Sequence, residues 1–324
     1  MAEVHRLRVD EVIEETADAR SFVLSGADFS PRPGQFLTVR AGEVARCYSL
    51  SSAPGEPLKI TVKRTPDGYG SLWMCSEVRA GMELDVLAPA GVFTPSSLDG
   101  SLLAFAAGSG ITPVMSIIRT VLAEGSGRVF LFYANRDEAS VIFARELDSL
   151  ARSYPDRLTV VHWLESVQGL PHGLRAFVHP CDEAFVCGPA PFMEAVRKVL
   201  HDVPVVHIEK FVSLSSDPFA AVEPAVEPAV DDRPDAVVEV SLDGEEHRFP
   251  WPARTKLLDL LLDKGLDAPY SCREGACSAC ACRLVEGEVK MLNNDVLDSE
   301  DIADGIVLAC QSVPVTDTVK ITYE

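Results

Sequence analysis

The stretch Cys272-Arg-Glu-Gly-Ala-Cys-Ser-Ala-Cys-Ala-Cys282, with a lone Cys310 further on in Leu-Ala-Cys-Gln-Ser, decides how the chain is read. Cys272, Cys277 and Cys280 fall at C-x4-C-x2-C, and Cys310 supplies a distant fourth thiol. That is the plant-type spacing for a [2Fe–2S] cluster. Three thiolates from one short segment must converge on a compact group, so the segment has to be a loop wrapped around it. Gly275, Ala276, Ser278 and Ala279 are small enough to let the backbone come close. Loop N–H groups aimed at the sulfurs would then tune the potential. Zinc is the weaker reading, because a zinc ribbon prefers two C-x2-C pairs and only one x2 spacing is present. A disulfide scaffold belongs to small secreted chains. Cys282 is left over where a strand is expected to begin, and reads as a buried inert thiol. A cluster of this kind moves one electron at a time, so the rest of the chain has to account for the source of that electron.

The chain has 324 residues, enough for two or three domains, and 47% of them are hydrophobic. No apolar run approaches the roughly 18 residues of a membrane span. The N-terminus, Met1-Ala-Glu-Val-His-Arg-Leu-Arg-Val-Asp10, shows no apolar segment of the secretory kind. Nine cysteines without such a signal point to a reducing compartment, the cytoplasm. The net charge of −20 argues against nucleic acid, whose phosphates would repel it. The C-terminal part is the acidic end, with 17 acids against eight bases in residues 236–324. Such acidity aids solubility; it could also steer a basic partner protein at low salt.

Residues 1–98 read as strands at His5–Glu15, Ser21–Ser25, Gln35–Arg40, Arg46–Ser51, Leu58–Arg64 and Glu83–Leu87. One helix interrupts them, Ser71–Arg79, with Ser71 as its N-cap and Gly81 near its stop. Six short strands and one helix predict a small antiparallel barrel. Two features in it carry chemistry. In Arg46-Cys-Tyr-Ser-Leu-Ser-Ser52, alternation puts Arg46 and Tyr48 on one face and Ser49 on the other. An arginine suits a diphosphate, an aromatic can stack on a flat ring, and a hydroxyl can bond a ring nitrogen. The second feature is Thr61-Val62-Lys63-Arg64 followed by Gly68-Tyr-Gly70-Ser71, a Gly-rich turn opening a helix. A helix N-terminus is a ready anion site. Either feature alone is also what an ordinary exposed strand or helix-opening turn looks like.

Residues 99–215 change pattern. Leu102–Ala107 is a continuous apolar run, as in a buried parallel strand. Gly108-Ser-Gly110-Ile-Thr112-Pro113 follows, with Thr112 as N-cap and Pro113 as first residue of a helix through Leu122. Strand Val129–Ala134, helix Val141–Ala151, strands Leu158–Trp163 and Ala184–Cys187, and helix Phe192–Leu200 complete an alternating series. Such alternation predicts a doubly wound parallel sheet, with ligands at the carboxyl ends of the strands. The Gly108 turn and Cys187-Gly188-Pro189 then lie on one face. Taken singly, these are also what tight turns of an unrelated α/β domain look like; were a dinucleotide bound there, Arg136 after the second strand would favour a 2′-phosphate, while Asp137 and Glu138 would repel it or bond a free ribose. A last strand, Val205–Phe211, ends in Glu209-Lys-Phe211, and the histidines read as structural or surface residues.

Residues 216–235, with the doublet Ala-Val-Glu-Pro, read as an extended tether. In residues 236–324, Val237–Leu242, Asp243-Gly244 and His247–Trp251 predict a hairpin, and Thr255 caps a helix over Lys256–Lys264 that Gly265 ends. The cluster loop, a strand pair around Glu286-Gly-Glu288 and a closing strand Thr318–Tyr323 follow.

Arg46-x-Tyr48-Ser49 with the Gly68-to-Ser71 turn, then Gly108-x-Gly110-x-Thr112-Pro113 with Cys187-Gly188-Pro189, resemble in this order the ferredoxin–NADP reductase superfamily. The C-terminal part resembles the β-grasp fold of plant-type ferredoxins. Over nearly its full length the chain resembles flavin–nicotinamide–ferredoxin reductases that feed oxygenases, through His162–Pro171, Ser213–Phe219 and Leu266–Gly275 as well; the family's usual His before the second ligand is Ala276 here. The resemblance implies an antiparallel β-barrel flavin domain, an α/β nicotinamide domain and an α+β ferredoxin domain. It implies FAD against Tyr48, with Ser49 near its reactive nitrogen, Arg46 on the diphosphate, and Val62, Lys63, Arg64, Gly70 and Ser71 around it. FMN is the alternative flavin. It implies NADH at Gly108, Gly110, Thr112, Pro113, Cys187, Gly188 and Pro189, with Cys187 beside the nicotinamide and Glu209 and Phe211 bordering the flavin ring. Ser49, Cys187 and Glu209 are the expected residues around the hydride transfer. Electrons would leave singly through Cys272, Cys277, Cys280 and Cys310 to a Rieske-type oxygenase, a steroid hydroxylase first of all. Plant-type clusters lie near about −400 mV and Rieske centres at roughly −150 to +300 mV, so that step runs downhill. An oxygenase of another kind, a flavodoxin, or a sensor role without turnover are the competing readings.

Overall fold

A computed structural model describes residues 3–220 and 235–323. The first compact unit runs from Val4 to Phe211 apart from a short stretch near residue 91, and the second begins at Val212. Most of the tether expected at 216–235 lies outside the described residues.

In the first unit, β1 (Val4–Thr16), β2 (Ala19–Ser25), β3 (Phe36–Ala41), β4 (Val44–Ser49), β5 (Leu58–Lys63) and β6 (Glu83–Leu87) form one antiparallel sheet in the order β4-β3-β6-β1-β2-β5. A bridge from Leu50 to Ile60 brings the end strands together and nearly closes the barrel. Leu7, Val9, Phe22, Leu37, Val39 and Ile60 fill its interior at alternate strand positions. Helix α1 (Tyr69–Glu77) begins two residues before the expected Ser71. Its N-cap is Gly68, and the Ser71 hydroxyl, already inside the first turn, donates back to the Gly68 carbonyl at 2.9 Å.

The chain then enters a parallel sheet: β7 (Ser101–Ala107), α2 (Ile111–Glu124), β8 (Arg128–Asn135), α3 (Ala144–Ser153), β9 (Leu158–Leu164), α4 (Glu165–Gln168), β10 (Glu183–Cys187), α5 (Ala190–Arg197) and β11 (Val205–Glu209). The strand order is β11-β10-β7-β8-β9. Two expectations shift here. Helix α2 starts at Ile111 with Gly110 as N-cap, and Thr112 donates to the Ser109 carbonyl at 3.0 Å. Pro113 still sits in the first turn, where its missing N–H costs nothing. Helix α3 begins at Ala144, because Phe143 takes a left-handed φ of 61° that stops a helix running from Val141. Barrel and parallel sheet are joined by charge and hydroxyl contacts: Arg119 binds both Glu56 and Glu146, Lys59 reaches Glu146 at 3.3 Å, and Ser116 donates to the Ser52 carbonyl at 2.7 Å. His207 pairs with the buried Glu183 at 2.7 Å, a structural role.

The second unit holds β12 (Ala236–Leu242), β13 (Glu245–Trp251), α6 (Leu257–Asp263), β14 (Ala281–Glu286), β15 (Val289–Met291), α7 (Ser299–Ala303), β16 (Ile306–Leu308), β17 (Ser312–Pro314) and β18 (Thr318–Thr322). The main sheet runs β13-β12-β18-β14-β16, with β18 parallel to β12. The strand pair expected around Glu286-Gly-Glu288 does not form: β14 pairs with β16 and β18, and β15 pairs with β17 in a separate ribbon. Helix α6 is capped at Lys256 without a side-chain bond; the Thr255 carbonyl instead accepts the indole N–H of fully buried Trp251 at 2.7 Å. Leu257, Leu258, Leu260 and Leu261 turn the helix onto the sheet.

Candidate functional site

The cluster loop joins α6 to β14, and Cys310 sits between β16 and β17. All four thiols are buried. They meet two by two: the Cys272 amide lies 3.4 Å from the Cys277 sulfur, and the Cys310 amide 3.4 Å from the Cys280 sulfur. The Ala276 amide points at the Cys272 sulfur at 3.4 Å, and the Gln311 side chain at the Cys310 sulfur at 3.8 Å. Arg273 and Ser278 take left-handed φ values of 58° and 54°, which turns the chain back on itself around the thiols. Bonding to the Cys277 thiol, against burial and with help from the amides of residues 274–276, brings the Cys272 thiol down to about 7. Bonding to Cys280 lowers the Cys310 thiol. Among the described residues, no three His, Cys, Asp or Glu side chains close on a point as one metal ion requires. Two pairs of thiols ringed by N–H donors fit a two-iron group, with two thiolates for each iron. Cys282 stands apart: burial pushes its thiol up to about 12, and its sulfur faces the Val307 carbonyl at 3.8 Å.

In the barrel, β4 carries Arg46, Tyr48 and Ser49 beside the start of α1. A Cβ on Gly70 would lie 2.8 Å from Arg46 Cγ and 3.4 Å from the Tyr48 hydroxyl, so the three residues form one floor. The buried Tyr48 hydroxyl has no hydrogen-bond partner among the described residues. Such an orphan costs about 1–3 kcal/mol, which a bound polar ligand would recover. The floor therefore fits a flavin. Ser49 is buried at the strand end. Val62 points into the core and can offer only its backbone; its carbonyl faces Cys75. Arg64 is exposed, and Ser71 is tied to Thr65 at 3.0 Å. Gly70→Ala is expected to weaken flavin binding about tenfold, or about 1.4 kcal/mol, while cluster content stays unchanged; flavin fluorescence on titration measures it.

At the carboxyl ends of β7 and β10 the two turns touch. A Cβ on Gly110 would lie 2.1 Å from the Cys187 carbonyl oxygen, so only glycine lets the Gly108 turn and the Cys187-Gly188-Pro189 turn pack together. Lys63 reaches the same place, its Nζ 3.5 Å from where a Gly108 Cβ would stand. Cys187 is fully buried, and Glu209 lies next to it across the β10–β11 register. Phe211 is half exposed. Two further groups left no sign in the sequence pattern. Asn135, at the end of β8, is buried next to Tyr133, and neither amide atom makes a well-formed hydrogen bond among the described residues. Asp18 bonds Arg136 at 2.8 Å and lies 4.0 Å from Lys63. Burial raises the Asp18 carboxyl, but Thr16, Lys63 and Arg136 outweigh it and hold it below the usual range. Asp137, expected to oppose a 2′-phosphate, caps Ser140 at 2.9 Å.

Burial pushes the Glu209 carboxyl from 4.5 up to about 8. The folded chain thus keeps a proton that the unfolded chain has lost. The stability it contributes is full below pH 4.5 and is lost as pH rises through about 8. Thermal midpoints are expected to fall across that window, and Glu209→Gln to flatten the fall.

Residues 105–198 match the oxidoreductase NAD-binding domain family, and residues 240–315 the 2Fe-2S iron-sulfur cluster binding domain family. The chain is 55% identical, over 98% of its length and 96% of the relative's, to the ferredoxin reductase component of 3-ketosteroid-9-alpha-monooxygenase from Rhodococcus rhodochrous. The chain belongs to the flavin–nicotinamide–[2Fe–2S] oxygenase reductases. It is 33% identical, over its full length and 99% of the relative's, to one component of the 1,2-phenylacetyl-CoA epoxidase of Escherichia coli. Among solved structures it is similar to phthalate dioxygenase reductase, described as a modular structure for electron transfer from pyridine nucleotides to [2Fe-2S], with a TM-score of 0.61, 25% identity and 98% of both chains covered. As a member of this family it is an oxidoreductase component of a monooxygenase system, and its cofactors are FAD, a nicotinamide dinucleotide and a [2Fe–2S] cluster. No helix among the described residues is long and apolar enough to cross a membrane.

Proposed function

We propose that this reductase takes electrons from NADH and delivers them singly, through FAD and the [2Fe–2S] cluster, to a Rieske-type oxygenase that hydroxylates 3-ketosteroids at the 9α position. The observation that carries the electron route is the paired burial of four thiols under N–H donors in one unit, with the Gly110–Cys187 contact in the other. The steroid assignment is supported by the 55% identity to the steroid monooxygenase component against 33% to the epoxidase component.

When bound, FAD exchanges a hydride with the nicotinamide and releases electrons one at a time, and the cluster carries single electrons. The protein's share is positioning. Arg46, Lys63, Arg64, Gly70 and Ser71 hold the flavin's phosphates and Tyr48 its ring, with the Val62 backbone alongside. Ser49 offers its hydroxyl to the ring's reactive nitrogen. Gly108, Gly110, Thr112, Pro113, Gly188 and Pro189 cradle the nicotinamide dinucleotide. Cys187 borders its ring with a neutral thiol, since burial pushes that thiol well up. Glu209, whose carboxyl burial pushes up to about 8, and Phe211 border the flavin ring, and the protonated carboxyl adds no charge there. Cys272, Cys277, Cys280 and Cys310 hold the cluster.

Arg136 spends its guanidinium on Asp18, which supports NADH over NADPH. The nine cysteines, none in a disulfide, suit a reducing cytoplasm. Steady-state oxidation of NADH and of NADPH in the presence of purified terminal oxygenases tests the reading. Coupled 9α-hydroxylation of a 3-ketosteroid with NADH is the expected result. Coupling only to a phenylacetyl-CoA oxygenase would overturn the steroid assignment.

A further inference from the structure

Ser215 and Ser216, just past the end of the first unit, are bound to the cluster loop. The Ser215 amide donates to Glu274 Oε1 at 2.9 Å and its hydroxyl to Oε2 at 2.6 Å. The Ser216 amide donates to Oε2 at 2.9 Å, and its hydroxyl to the Cys272 carbonyl at 3.3 Å. Leu214, next in line, is 5% exposed. The far side of the clasp is itself fixed, because Asn293 donates to the Glu274 carbonyl at 2.7 Å. One carboxylate thus takes three donors from two consecutive residues, the strong charge-assisted kind of bond. Burial works against the ionised carboxylate, yet these donors hold Glu274 below the usual range. Glu274 lies between the first two expected ligands, Cys272 and Cys277.

The consequence follows from chain connectivity alone. The flavin–nicotinamide unit ends at Phe211 and the cluster unit opens at Val212. With Ser215 held, the covalent path from Phe211 to the cluster loop is four residues long. Without that hold, the path runs to β12 at Ala236. Effective concentration falls roughly as the −3/2 power of tether length, so a change from about four to about 24 residues lowers it roughly tenfold.

We propose that Ser215, Ser216 and Glu274 form a latch that keeps the cluster loop on a short tether and thereby sets how fast the cluster is reduced. Glu274 is a positioning residue in this role. The inference rests on the proposed flavin-to-cluster route, in which one electron leaves the reduced flavin and one ferric iron of the cluster becomes ferrous. Anaerobic stopped flow on the holoprotein tests it, with flavin bleaching by NADH and cluster reduction followed separately. In Glu274→Ala, which removes the acceptor of all three bonds, cluster reduction is expected to slow about tenfold; in the double variant Ser215→Ala/Ser216→Ala, which keeps both backbone amides as donors, it should slow by less but measurably. Flavin bleaching, iron content, the cluster's EPR signal and its midpoint potential should stay as in the parent protein. Glu274→Gln, which keeps one acceptor oxygen, should fall between. Cluster reduction at the parent rate in both variants would overturn the latch. Loss of iron in both would also overturn it, by assigning the clasp to cluster assembly. A parent protein whose flavin bleaches with NADH while its cluster stays oxidised would instead sink the electron route, whatever the variants do.

Discussion

A Cys310→Ala variant is expected to keep NADH-driven reduction of ferricyanide near the parent rate while electron delivery to the oxygenase falls by more than about a hundredfold. Changing a group that merely supports a metal ligand typically costs 10- to 100-fold, and losing the ligand itself costs more. Cys310 is the sole ligand candidate outside the loop, 1% exposed in the core beside Leu308 and Ala309. Its removal also strands Cys280. Bonding to Cys310 and burial already push the Cys280 thiol well up, so without iron it has no reason to ionise. Iron and sulfide analysis beside ferricyanide turnover measures the split. A variant with full cluster content and normal oxygenase coupling would remove Cys310 from the ligand set. The flavin should stay bound, because none of the residues assigned to it lies in the cluster unit.

Gly110→Val should do the reverse. The added side chain would start 2.1 Å from the Cys187 carbonyl, a backbone atom that cannot swing away. Either the Gly108 turn or the Cys187 turn must shift by an ångström or more. A misplacement of that size can cost about a hundredfold in a positioned reaction. Reduction of the flavin by NADH is therefore expected to fall about a hundredfold, with flavin and iron content unchanged. Pre-steady-state bleaching by NADH reads this directly. Bleaching at the parent rate would mean that the two turns do not frame the nicotinamide.

The elements were legible where periodicity and spacing are local. The alternation along β1 to β6, the apolar run of β7 and the C-x4-C-x2-C spacing from Cys272 to Cys280 each reflect neighbours within about ten residues. Helix starts were less legible. Ser71 and Thr112 have the right side chains for N-caps, but each lies inside the first turn and bonds the carbonyl three residues back. Short hydroxyl side chains do both jobs, and sequence does not separate a cap from a back-bond one turn later. Phe143 delays the start of α3 to Ala144 by a backbone angle that no composition rule anticipates. Pairings across long separations left no trace. Glu274 meets Ser215 across 59 residues, and Arg136 meets Asp18 across 118. The strand pair expected around Glu286-Gly-Glu288 failed for the same reason. Its two halves look like a hairpin locally, yet each finds a partner elsewhere in the cluster unit.

Paired entry and single exit of electrons can be watched in one anaerobic experiment. The as-isolated protein, carrying flavin and equal amounts of iron and sulfide, is mixed with one equivalent of NADH and frozen for EPR at successive times. Flavin bleaching should come first, followed by a reduced [2Fe–2S] signal that grows to one spin per chain and is missing in Cys310→Ala. A cluster signal that appears before the flavin bleaches, or that never appears although the flavin is fully reduced, would contradict that order of transfer.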